Sequence, residues 1–110
     1  MSMDKRYMIV IHPAKRTVMV NHDAEKQPEL ETLQKLVGGP IEVVPTYLEA
    51  SWARENADQI VLVVNEEGRL RGMQHNPAAS ALTPALPDIV GTAVLLMTMG
   101  DEMLGFEKYA

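Results

Sequence analysis

The chain predicts an α+β fold: a single antiparallel or mixed β-sheet covered by one main helix and short helices. Three observations carry this. Leu30, Leu33, Leu36 and Val37 mark one face of a helix. Two apolar runs of about strand length, Ile60 to Val64 and Asp88 to Thr98, read as buried strands. The order strand, strand, helix, strand, then hairpin, short helix and strand places the helices over one sheet. With 110 residues, 46% apolar and 23% charged, the chain has the size and composition of one globular domain spanning 1–110.

Tyr7 to Ile11 is rich in β-branched and aromatic residues and stops at His12-Pro13, and Thr17 to Val20 resumes the pattern, so a β-hairpin opens the chain. Pro28 suits a helix start, Glu31 and Lys35 pair four apart in the favourable order, and Gly38-Gly39-Pro40 closes the helix with a left-handed cap. Ile41 to Tyr47 is a strand that Pro45 pushes to a sheet edge. Leu48 to Gln59 suggests a short helix anchored by Trp52. Ile60 to Val64 should enter a hairpin turn at Asn65-Glu66-Glu67-Gly68 and return as a strand from Arg69 to Met73. Asn76 before Pro77 is an N-cap and a proline at the first helical position. Asp88 to Thr98 should be the central strand, with Gly91 marking a bulge or a close backbone approach. Gly100 to Ala110 forms a turn or short helix docked by Met103, Leu104 and Phe106.

Composition narrows the function classes. The chain has no cysteine, which excludes disulfides, thiolate metal sites and thiol nucleophiles and fits a cytoplasmic setting. The run Ile89 to Met99 is about half of the roughly 20 residues a membrane helix needs, and Ile9 to Ile11 is too short for a signal-peptide core. A net charge of −5 repels a DNA or RNA polymer, yet a small anion needs only a few local cations.

His12, His22 and His75 lack metal-ligand spacing, so no metal site or cofactor is expected, and His22-Asp23 reads as a solvated loop pair. No nucleophile motif occurs, and Glu66-Glu67 reads as solvated turn carboxylates, so an enzyme is not expected. Gly38-Gly39 follows a helix and lacks the GK[ST] ending of a phosphate loop. Arg69 and Arg71, two apart on an expected strand, would share a face and grip one phosphate or carboxylate together, although the same spacing also describes a solvated face. Asn76, with His75 before it, is an N-cap that could also present helix N–H groups to an anion. Arg16 in the first hairpin is a further cation. Trp52, Tyr7, Tyr47, Tyr109 and Phe106 are the rings available to stack on a base.

Four segments carry a resemblance: Leu33-Gln34-Lys35-Leu36-Val37-Gly38-Gly39-Pro40-Ile41-Glu42, Val64-Asn65-Glu66-Glu67-Gly68-Arg69-Leu70-Arg71-Gly72, Asn76-Pro77-Ala78-Ala79 and Ile89-Val90-Gly91-Thr92-Ala93-Val94. In this order they resemble a family of small proteins of phages and gut Firmicutes known as a domain of unknown function. The pattern is also similar to the first Thoeris anti-defence family, phage proteins that sequester cyclic ADP-ribose isomers. That resemblance implies a homo-oligomeric, non-enzymatic sponge for a cyclic signalling nucleotide, in some members also for cyclic oligonucleotides, with arginines, an asparagine and an aromatic side chain in the pocket. Asn76 falls inside a matched motif; Arg16, Arg69 and Arg71 rest on charge and spacing alone. The alternative is an interaction module of a phage or mobile element that binds a protein through its sheet edge.

Overall fold

In the computed structural model, which describes residues 5–53 and 56–107, β-strands β1 (Lys5–Ile11), β2 (Val18–Asp23), β3 (Ile41–Pro45), β4 (Gln59–Asn65), β5 (Ala93–Met99) and β6 (Glu102–Leu104) form one open sheet. Every pairing is antiparallel. The order is β2-β1-β5-β4-β3, and β6 also pairs with β5. β1 and β6 share one side of β5: Ile9 to Ile11 pair with Ala93 to Leu95, and Glu102 to Leu104 pair with Met97 to Met99. The expected α+β class is therefore realised with an antiparallel sheet.

Helix α1 (Leu30–Val37) connects the two outer strands β2 and β3 and so crosses one face of the sheet. Its buried Leu33 and Val37 pack on Met8, Val10, Val61, Val63, Val94 and Leu96. Glu29 is its N-cap, so Pro28 precedes the helix instead of beginning it, and Gly38, at φ 85°, ends it in the left-handed conformation a glycine adopts without strain. The opposite face carries Ile11, Ile60, Leu62, Val64, Leu95 and Met97. Its cover is irregular: a 3₁₀ turn η1 (Ala50–Ala53), a one-turn helix α2 (Pro77–Ser80) and connecting chain. β4 and β5 are thus apolar at consecutive positions because both of their faces are covered.

Several boundaries differ from expectation. His22 and Asp23 end β2 instead of lying in a loop. The central strand begins at Ala93, because Gly91 at φ 77° turns the chain where an added Cβ would stand 2.8 Å from the Met73 sulfur. That close approach was the expected role of Gly91. Between Leu48 and Gln59 there is one 3₁₀ turn; Trp52 is half exposed and meets the buried Phe106 edge-on, with ring centroids 5.3 Å apart. The expected turn or helix after Gly100 is strand β6, because Met97 to Met99 still offer unpaired backbone on the side that β1 has left. Residues 108–110 of that segment, with Tyr109, lie outside the described residues. No helix among the described residues is long and apolar enough to cross a membrane.

Candidate functional site

The expected returning strand from Arg69 to Met73 does not form. A hairpin partner for β4 needs a free side of β4, and both sides are held, one by β3 and the other by β5. The chain instead leaves the sheet through Asn65, a buried residue whose Nδ2 donates to the carbonyl of Val37 at the end of α1 (3.1 Å) and whose Oδ1 accepts from the Glu67 N–H (2.7 Å). This Asx turn opens a run of tight turns, closed by Arg71 N–H to the Glu67 carbonyl and Met73 N–H to the Gly68 carbonyl.

Arg69 and Arg71 consequently do not share a strand face. Arg69 Nη2 donates to the Asp88 carbonyl at 2.6 Å, whereas Arg71 Nη1 donates to the Gly38 carbonyl at 2.9 Å. One arginine fastens the turn to the chain before Ile89, and the other fastens it to the end of α1.

Between this turn, the segment Leu86 to Val90 and strand β3 lies a cleft of about 230 Å³. Val44, Val64 and Ile89 contribute apolar surface, Leu70 stands almost fully exposed at 90%, and Leu86 is partly exposed. Among the described residues, four charged ones line it: Arg69 against Glu42, Glu66 and Asp88. Burial shapes the other wall. Ser80 Oγ accepts from the Ile89 N–H at 2.9 Å, and the Asn76 N–H donates to the Ile89 carbonyl.

Of the five residues singled out from the sequence, only Arg69 lines the cleft. His75 lies beside it, its Nε2 3.4 Å from an Asp88 carboxylate oxygen. Asn76 is completely buried; its Nδ2 donates to the carbonyls of Ile11 and Gly91, both at 2.9 Å, and its Oδ1 accepts from the Ala79 N–H. It is the N-cap the sequence announced, and it also ties β1 and the start of β5 to α2. Arg16 is exposed in the connection between β1 and β2, away from the cleft lining. Among the described residues, no aromatic side chain lines the cleft. Among the described residues, no group of three histidine, aspartate or glutamate side chains is placed to hold a metal ion.

Sequence reasoning missed the acidic members of the cleft and its exposed leucines. Glu66 was visible as a turn carboxylate, but nothing local joins Glu42, Glu66 and Asp88, which come together only through sheet pairing and the Arg69 clamp.

Together these features define a small α+β protein on one open antiparallel sheet, with a mixed-charge cleft where the irregular cover meets an edge strand. A family model described as a domain of unknown function, DUF3846, matches residues 5–107, and the chain belongs to that family. No curated protein and no solved structure matches the chain.

Proposed function

We propose that this protein is a non-catalytic binding module whose working surface is the cleft beside β3, and that a segment of another protein is what it holds. The composition of the cleft carries this reading: apolar surface from Val44, Val64 and Ile89, an exposed Leu70 on the lip, and a rim of one guanidinium and three carboxylates. Apolar contact ringed by polar groups is the anatomy of a protein-binding patch.

Electrostatics favours a protein segment over a nucleotide. A cyclic ADP-ribose isomer or cyclic oligonucleotide brings at least two phosphate charges, and here it would meet three carboxylates for one arginine already donating to a backbone carbonyl. At equal distances each like charge cancels one opposite charge. Among the described residues the cleft also has no ring for the base, and its volume lies under the roughly 300 to 1,000 Å³ of small-molecule sites.

The sponge remains the second reading, favoured by the Arg69 N–H groups that are free of the Asp88 carbonyl and by the family likeness noted in the sequence. In that reading a second copy of the chain supplies the missing cations and ring, so a homo-oligomer in the bacterial cytoplasm is part of it. Calorimetric titration with cyclic ADP-ribose isomers and cyclic di- and trinucleotides, alongside light scattering, tests both. We expect no saturable heat. Saturable binding, with the ligand recovered intact after denaturation and a mass above the 12.2 kDa of one chain, would install the sponge instead.

A further inference from the structure

β3 is an outermost strand, and its hydrogen bonds reveal which of its backbone groups face outward. Just before it the Pro40 carbonyl accepts from the Glu66 N–H at 2.8 Å, and just after it the Thr46 N–H donates to the Ile60 carbonyl at 3.2 Å. Antiparallel bonding alternates with a period of two. Glu42 and Val44 therefore turn their backbone groups to β4, while Ile41, Val43 and Pro45 turn theirs away from the sheet. No partner for the outward groups of Ile41 and Val43 exists among the described residues. Pro45 has no N–H, so it loses nothing at this position and ends the usable edge.

We propose that β3 accepts an extended segment of a partner protein as an added antiparallel strand, paired about Val43 and reading apolar–apolar–basic from its N- to its C-terminus. This rests on the cleft being a site for a protein segment. The side chain opposite Val44 lies on the cleft face over Val44 and Val64, so it is apolar. The next, opposite Val43, lies on the α1 face beside a valine that is 43% exposed, so it is apolar too. The third stands opposite Glu42 on the cleft face, where Glu66 and Asp88 add negative charge, so it is lysine or arginine. Main-chain bonds to Ile41 and Val43 supply affinity, and the alternating side chains supply choice.

A second copy of this chain fits the edge poorly in this register. Pairing two β3 strands about Val43 sets the Ile41 carbonyl opposite Pro45, which has no N–H, and brings two acidic clefts together on chains that each carry −5.

The test is titration of the ¹⁵N-labelled protein with a blocked Ser-Leu-Val-Arg-Thr pentapeptide, followed by amide shifts. The controls are the same peptide N-methylated at its valine, the peptide with glutamate for arginine, and the Val43→Pro protein. We expect saturable shifts at the Ile41 and Val43 amides below about 1 mM peptide, a loss of about tenfold or more in each control, and an unchanged circular dichroism spectrum for Val43→Pro. Absence of saturable shifts anywhere at that concentration overturns the proposal. Shifts at Arg69, Ile89 and Val90 without Ile41 and Val43, indifferent to N-methylation, would overturn strand addition and leave the cleft as a protein-binding site. Cleft shifts with a cyclic dinucleotide and none with the peptide would overturn both.

Discussion

The two faces of the sheet are covered by different means. On one face a single helix buries Leu33 and Val37 against valines, a leucine and a methionine of the sheet, and the contact is apolar. On the other, turns and a four-residue helix lie over an equally apolar sheet surface, and side-chain hydrogen bonds of Asn76, Ser80 and Arg69 fix their paths. A helix satisfies its own backbone and needs only apolar contact. Irregular chain cannot do so, and every buried peptide group must find a partner. The irregular face is also where a cleft can open and where charged groups from distant positions meet.

The sheet common to both faces should show the largest effect. Leu95, buried at the centre of β5, cannot be replaced by aspartate without an unpaired charge in the core, so Leu95→Asp should yield no soluble folded protein. A folded, monodisperse variant by size-exclusion chromatography would mean that the core lies elsewhere.

Leu33→Ala and Asn76→Ala set the two covers against each other. Removing the Leu33 side chain should cost about 3 kcal/mol by lost burial and a cavity. Asn76→Ala should cost a similar amount, about 3 kcal/mol, through the lost cap and the stranded carbonyls of Ile11 and Gly91. Asn76→Asp distinguishes the causes, because it keeps the cap acceptor while facing both carbonyls with an acceptor. Denaturant melts should find it no more stable than the alanine variant; recovery towards wild type would reduce the anchor to its cap.

Arg69→Ala and Arg71→Ala should each lower stability by about 1 kcal/mol or less, since both guanidinium groups are exposed. Their effects on binding should differ. Losing Arg69 frees the Leu86 to Val90 wall and should weaken peptide binding, whereas losing Arg71, which points to Gly38, should leave affinity at the wild-type level. Equal effects would join the two arginines in one site after all.

The smallest effect concerns the junction of β2 with the segment after β6. The His22 Nδ1 lies 2.9 Å from the Asp23 carbonyl and its Nε2 accepts from the Gly105 N–H at 2.8 Å, an arrangement that needs a neutral ring donating through Nδ1. Desolvation by burial is the main cause that lowers its pKa below 6.5. In the window below 6.5 the unfolded chain binds a proton that the folded one resists, so this contribution to stability is full above 6.5 and is lost as pH falls through the lowered folded value. Melting temperature should fall over that window in wild type, with a shallower fall in His22→Gln. An unchanged slope would assign the pH dependence to other groups.

The elements fixed by local pattern were legible in the sequence. The periodic leucines of α1, the Gly38 cap, the Asn76-Pro77 start of α2, the edge placement of Pro45 and the apolar runs of β4 and β5 each express a constraint that a few neighbouring residues satisfy alone. Long-range pairing decided the rest. Arg69 to Met73 has strand-like spacing, but a strand exists only where a partner edge is free, and β3 and β5 had taken both sides of β4. Glu102 to Leu104 became a strand for the opposite reason, because β1 leaves β5 before its end. The cleft followed from these choices. Its carboxylates come from β3, from the turn after β4 and from the approach to β5, and only the closing of the sheet brings such distant positions together.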